Sequence, residues 1–183
     1  DNGSTDRTPE IAQEYGATFY SEEWHGFGPQ KNIALSKASS DWVFSIDADE
    51  VVPEQLAMEI KSIVDNPNCE GYEIPRVTTF CGKKVRFGDW GRDKVLRLFK
   101  RDVGEFTDVQ LHEGVIVKGT TGLLKHAMIH NSVSSIEDAK EKMRLYAEIS
   151  ARGRSGSFMK AISHGSWTFI RSYLLRFGWL DGW

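Results

Sequence analysis

The sequence predicts an α/β domain, a mixed sheet with flanking helices, followed by a C-terminal helical tail. Three observations carry that reading. Strand-like and helix-like runs alternate through the first third of the chain, the pattern of a parallel sheet with crossover helices. From about residue 70 the runs become short, β-like and separated by glycines and charges, as in a mixed or antiparallel extension of the sheet. Residues 158–183 are dense in aromatics that recur at helical spacing.

Taken in order, Asn2-Gly3 is a turn pair, Thr8 is the expected N-cap and Pro9 the first helical residue. Ile11, Ala12 and Tyr15 share one helical face, and Gly16 stops that helix. A strand should precede such a turn, so the chain is read as beginning inside a motif. Residues 17–20 read as a short strand, 30–39 as a helix and 42–46 as a strand. Residues 53–64 read as an amphipathic helix with Leu56, Ile60, Ile63 and Val64 inward. After Asn66-Pro67-Asn68 come β-like runs at 71–80, 85–87, 94–99, 114–117 and 123–130. Ser134-Ser135-Ile136-Glu137 is a capping box opening a helix that reaches about residue 151. Residues 152–157 form a glycine- and serine-rich hinge, dividing a domain at 1–151 from a tail at 152–183.

Composition narrows the class. With 183 residues, 40% hydrophobic and 27% charged, the chain has the profile of one globular domain with a sizeable core. A net charge of −3 argues against nucleic acid as a partner. Cys69 and Cys81 are too few for a disulfide scaffold and lack zinc spacing, which favours free thiols in a reducing compartment. No signal peptide and no bilayer-spanning apolar run is legible, so a cytoplasmic place is expected.

The most informative feature is Asp47-Ala48-Asp49-Glu50, directly after the apolar run Val43-Phe44-Ser45-Ile46. It places carboxylates at the C-terminal end of a buried strand, where open α/β sheets bind ligands. Two acids separated by one residue can face one hard cation, Mg²⁺ or Mn²⁺, which commonly also binds a diphosphate. The alternative is that Asp49 or Glu50 caps and charge-complements the helix beginning near Pro53.

Asp1-Asn2-Gly3-Ser4-Thr5-Asp6-Arg7-Thr8, then Gln30-Lys31-Asn32, then Ser45 through Glu50 resemble, in order and spacing, the nucleotide-sugar half of the family 2 glycosyltransferases of GT-A fold. Lys94 through Phe99, Leu111-His112-Glu113 and Gly119 through His130 are similar to a bacterial subgroup that includes lipopolysaccharide core β-glucosyltransferases. The resemblance covers roughly residues 1–150 and, more loosely, the tail through Gly182. It implies a GT-A-like (Rossmann-like) mixed sheet whose first strand and Tyr-Asn-Glu-like segment are absent here.

Carried over residue by residue, the resemblance implies that Asp1 bonds the uracil of a UDP-sugar. Asp47 and Asp49 match the family's Asp-x-Asp pair, the first near ribose and metal and the second on the metal. Lys31 and Asn32 either reach the pyrophosphate or the base, or form a solvated first turn. Glu113 is the expected base, taking the proton of an acceptor hydroxyl across the sugar from the metal, with Asp89 and Asp93 in reserve. The alternative is that Glu113 pairs with a basic side chain and holds its loop. His130 either completes the metal shell or is a hydrogen-bonded core histidine. The basic residues Lys94, Arg97, Lys100 and Arg101 either meet an anionic acceptor or form a solvated face.

The resulting expectation is an inverting transferase that moves a hexose, glucose first, from a UDP-sugar to a glycan or lipid-linked saccharide in bacterial envelope synthesis. The rivals are a sugar nucleotidyltransferase and a non-catalytic metal- or saccharide-binding module. For the tail, the expectation is an amphipathic helix at the inner face of the cytoplasmic membrane, with Arg171 and Arg176 on anionic lipid. Packing on the domain and a dimer contact are the other two readings.

Overall fold

A computed structural model of the chain describes residues 1–108, 114–151 and 157–182. In chain order the elements are α1 (Thr8–Glu14), α2 (Phe27–Lys37), β1 (Trp42–Phe44), β2 (Glu50–Val51), α3 (Glu54–Asp65), β3 (Gly71–Phe80), β4 (Lys83–Lys84), β5 (Lys94–Lys100), β6 (Gly104–Phe106), β7 (Val115–Val117), β8 (Thr121–Leu123), β9 (Met128–Val133), α4 (Ile136–Ala151) and α5 (Phe158–Phe169). The main sheet runs β1-β5-β3-β9-β2, with β4 and β8 also on β3, and β6 pairs with β7 apart from it. This is a mixed α/β fold of the GT-A-like kind.

The amphipathic face predicted for α3 is the one it buries. Leu56 is fully enclosed with Tyr72, Ile74, Leu98, Leu124 and Met128, and Ile60, Ile63 and Val64 pack against them. Enclosing a leucine side chain in this way contributes roughly 1.5–3 kcal/mol. β3 is the spine of the sheet: its first half lies between β5, antiparallel, and β8, parallel, and its second half runs parallel to β9.

Several expectations are corrected. β1 pairs antiparallel with β5, Val43 opposite Phe99, so among the described residues the parallel pairs lie beyond residue 70, between β3 and β8 and between β3 and β9, and not among the first strands. Helix–strand alternation shows which faces are buried; apolar complementarity across the sheet chooses the partner. Residues 17–20 form no strand: the Ala17 amide turns back to the Ala12 carbonyl (2.9 Å), and the Tyr20 carbonyl accepts from the Asp1 amino group (2.9 Å). α2 starts three residues before the predicted position, because Gly28 lets its first turn press on the next layer: a Cβ there would lie 2.1 Å from the Thr107 carbonyl oxygen. The run at 85–87 is not a strand, since the Asp181 carboxylate takes the Arg86 and Phe87 amides (3.1 and 3.0 Å). The run at 123–130 splits into β8 and β9 where Glu59 takes the Lys125 and His126 amides (2.8 and 2.9 Å).

Capping also shifts, by two residues at α1 and by one at α4. The Asp6 carboxylate, not Thr8, opens α1, accepting the Thr8 amide and hydroxyl at 3.0 and 2.6 Å. At α4 the box is Ser135 with Asp138, not Ser134 with Glu137: the Ser135 hydroxyl accepts the Asp138 amide at 3.1 Å, and the Asp138 carboxylate accepts the Ser134 amide at 2.9 Å. The predicted hinge falls almost wholly outside the described residues. Beyond it α5 continues as a π-helical segment, Ile170–Leu175, and a 3₁₀ turn, Gly178–Asp181. The end of this tail docks on the loop before β5: the Gly88 amide donates to the Arg176 carbonyl at 2.9 Å, and Arg171 and Arg176 both pair with Asp89. Arg171 and Arg176 are thus turned to a carboxylate of the domain, where the sequence placed them on lipid. Among the described residues, no helix is long and apolar enough to cross a membrane.

Candidate active site

Asp47 leaves the sheet just beyond β1, and its carboxylate sits between two cations. Lys31, one turn into α2, approaches one oxygen at 2.8 Å, and Arg97 of β5 bonds the other. Burial pushes the Asp47 carboxyl up, but the Lys31 hydrogen bond and the Arg97 charge outweigh it and hold the group below the usual aspartate range. Arg97 also donates to Glu50 at 2.8 Å, and the Glu50 side chain is 0% exposed. The second Glu50 oxygen accepts the Asp47 amide at 2.9 Å. Arg76 of β3 reaches Glu50 at 3.3 Å and Asp93 at 2.5 Å. Charges of alternating sign therefore run from Lys31 through Asp47, Arg97, Glu50 and Arg76 to Asp93.

Asp49 projects from the turn after Asp47 and stays largely open, its side chain 43% exposed. The β2–β9 register puts His130 opposite Glu50, which brings the His130 Nε2 to 3.4 Å from the Asp49 carboxylate. On the ring's other side, Nδ1 lies 3.5 Å from the Thr78 hydroxyl. The turn from β1 to β2 thus links two pairs, Lys31 of α2 with Asp47 and His130 of β9 with Asp49.

The remaining candidates stand differently. Asp1 folds back on its own turn, its carboxylate accepting the Gly3 and Ser4 amides at 2.8 Å each and the Ser4 hydroxyl at 2.6 Å. Asn32 is used by the backbone of Phe106: its amide donates to that carbonyl and accepts that amide, both at 2.9 Å. This clip uses one N–H and the carbonyl oxygen of the Asn32 amide and fixes its orientation on α2. Glu113 lies outside the described residues; its neighbour Gly114 exchanges two 2.9 Å hydrogen bonds with Thr107, next to the Asn32–Phe106 clip. Of the reserve bases, Asp93 is held by Arg76, and Asp89 by Arg171 and Arg176. The Arg171 hydrogen bond, with the charge of both guanidiniums, keeps the Asp89 carboxyl below the usual range, which makes it a poor proton acceptor.

Sequence reasoning does not find Arg97 and Arg76. Residue spacing puts Arg97 in a solvated or acceptor-facing basic run, yet Arg97 is buried, and among the described residues its Nε has no partner. The available signal was its place between Leu96 and Leu98 in a strand pairing on both sides. Among the described residues, no group of three or more His, Cys, Asp or Glu is arranged to hold a metal ion. Asp49 and His130, a hard oxygen and a nitrogen side by side, fit a divalent ion as a partial ligand set. Asp47, with a cation on each oxygen, does not fit one in this arrangement.

A mixed α/β domain with acids at the exit of β1, a lysine on the adjoining helix and a histidine on β9 belongs to the GT-A-like class of fold. Residues 1–109 match the model of glycosyl transferase family 2, and the chain belongs to that family, whose members generally depend on a divalent cation. Over 96% of its length it is 28% identical to an uncharacterized glycosyltransferase of Rickettsia typhi and equally to one of Rickettsia prowazekii, covering 66% of each. Over its whole length it is 27% identical to the lipopolysaccharide core biosynthesis glycosyltransferase LpsC of Rhizobium meliloti, covering 72% of that protein. The chain spans about two thirds of the length of the curated relatives it matches.

Proposed function

We propose that the protein transfers a hexose, glucose first among candidates, with inversion from a UDP-sugar to a glycan or lipid-linked saccharide of the bacterial cell envelope. The observation that carries the reading is the turn from β1 to β2, which links the pairs Lys31 with Asp47 and His130 with Asp49. Likeness to a core-biosynthesis glycosyltransferase supports the choice of acceptor class. Asp49 and His130 would hold Mg²⁺ or Mn²⁺. The ion supplies neutralisation of the charge gathering on the departing diphosphate. Lys31, already poised over a carboxylate, contributes a second cation on the same side.

Inversion needs a base on the opposite face of the sugar, and we assign it to Glu113. The described residues on either side of its segment are held beside α2, which also carries Lys31, by Thr107 with Gly114 and by Asn32 with Phe106. Glu113→Gln keeps shape and hydrogen bonding but cannot take the proton. Transfer is expected to fall by about 10² to 10⁴ with donor affinity nearly unchanged. A parallel loss of UDP-sugar binding would instead assign Glu113 to the donor site, and normal turnover would remove it from the mechanism. Release of UDP from its sugar in the presence of metal separates a transferase from a mere binding module.

For the tail, peripheral association with the membrane remains part of the proposal, now resting on its apolar side alone. Phe158, Met159, Trp167 and Phe169 are each more than half exposed. The expected result is sedimentation of the protein with lipid vesicles, reduced when Phe158, Met159 and Trp167 are changed together to serine. Unchanged sedimentation of that variant would remove the membrane contact.

A further inference from the structure

Between the docked tail and the loop before β5 lies an open cavity of about 500 Å³, well within the size range of ligand sites. Its walls are chiefly Phe80, Val85, Phe87 and Trp90 from the sheet side and Phe169 and Tyr173 from the tail. The rings are ordered against one another, Phe169 stacked on Tyr173 at 5.1 Å and Phe80 tilted against Trp90 at 6.2 Å. The carboxylates on the wall are already used. Asp181 accepts the Arg86 and Phe87 amides, Asp89 takes Arg171 and Arg176, and the Ser172 hydroxyl accepts the Asp89 amide at 3.2 Å. A saccharide buried here would have to compete with those bonds, and each hydroxyl left unpaired costs about 1–3 kcal/mol. A hydrocarbon chain meets no such penalty and gains the burial of apolar surface.

The charge around the cavity is lopsided. Lys84 and Arg86, which flank Val85, are exposed, while Arg171 and Arg176 on the tail side are met by the Asp89 carboxylate. Lys84 and Arg86 complement an anionic head. We infer that this cavity binds an anionic amphiphile, the lipid portion of the acceptor, with its chain among the rings and its phosphate or carboxylate on the Lys84–Arg86 side. The identification of that amphiphile as acceptor rests on the glycosyl-transfer reading; the binding is independent of the donor site.

The test is a titration of the intact chain with monomeric dodecyl phosphate, without donor, followed by calorimetry and tryptophan fluorescence, with dodecyl maltoside and inorganic phosphate as companions. Saturable binding at least tenfold tighter than either companion is expected. Val85→Trp, which fills the cavity, should weaken it at least tenfold, and Arg86→Glu should weaken dodecyl phosphate but not dodecyl maltoside. Equal affinity in a folded Val85→Trp protein, or equal affinity for inorganic phosphate and its dodecyl ester, would overturn the inference. Should Val85→Trp not fold, Thr168→Phe fills the same space from the tail side and decides in its place. UDP affinity, measured on the same samples, reports separately on the donor site.

Discussion

Asp49→Ala is expected to abolish divalent-ion-dependent UDP binding while leaving the fold intact. The side chain is 43% exposed, meets the His130 ring at 3.4 Å and stands outside the buried core, so its removal opens no cavity there. What it removes is the one carboxylate of the strand exit that no cation already holds. Calorimetry with UDP and Mn²⁺, on wild type and variant and again after chelation, reads the effect directly. Chelation should lower wild-type affinity to that of Asp49→Ala and leave the variant unchanged. Unaltered metal-dependent affinity in Asp49→Ala would show that the donor site lies elsewhere. His130→Ala should reproduce part of the loss, since it supplies the second donor of the pair.

Arg97→Met should be the most destabilising single change at the site, about 3–5 kcal/mol, because it leaves the fully enclosed Glu50 carboxylate without its main counter-charge. For a chain of this size that corresponds to a melting temperature lower by roughly 6–20 °C. The double variant Arg97→Met with Glu50→Gln should recover much of the stability, since no buried charge is then stranded. Additive losses would mean that the pair is not the reason. Acid adds an independent check. The Asp47 carboxyl titrates below its unfolded value, so its pairing stabilises the protein above about pH 4 and is lost as the pH falls through the folded-state value. Asp47→Asn should flatten that acid limb of the stability curve.

Local chemistry was legible in the sequence. The amphipathic face of α3, the extent of β3, the helix that ends at Ala151 and the acidic exit of β1 each depend on a few consecutive residues, where spacing of apolar groups and turn residues is decisive. The ordered motifs from Asp1 to Glu50 were enough to point to the family that residues 1–109 match. What failed was whatever depends on a distant partner. Ser134 and Ser135 compete for the same helix end, and a shift of one residue follows from where β9 releases the chain. Asn32 looks like a ligand group until Phe106, far along the chain, takes both ends of its amide.

That acids stand at a strand exit and a histidine at the end of a strand-like run follows from residue type and local period, which need no third dimension. Which charges meet depends on how the strands pair. β5 lies beside both β1 and β3, and that adjacency turns Arg97 inward, closing it on Asp47 and Glu50 instead of leaving it in a solvated row. In the same way Arg171 and Arg176 read as lipid-facing until the tail folds back on Asp89. A carboxylate and a guanidinium attract over a distance that is short in space and unlimited in sequence, so their pairing follows from chain topology and not from spacing.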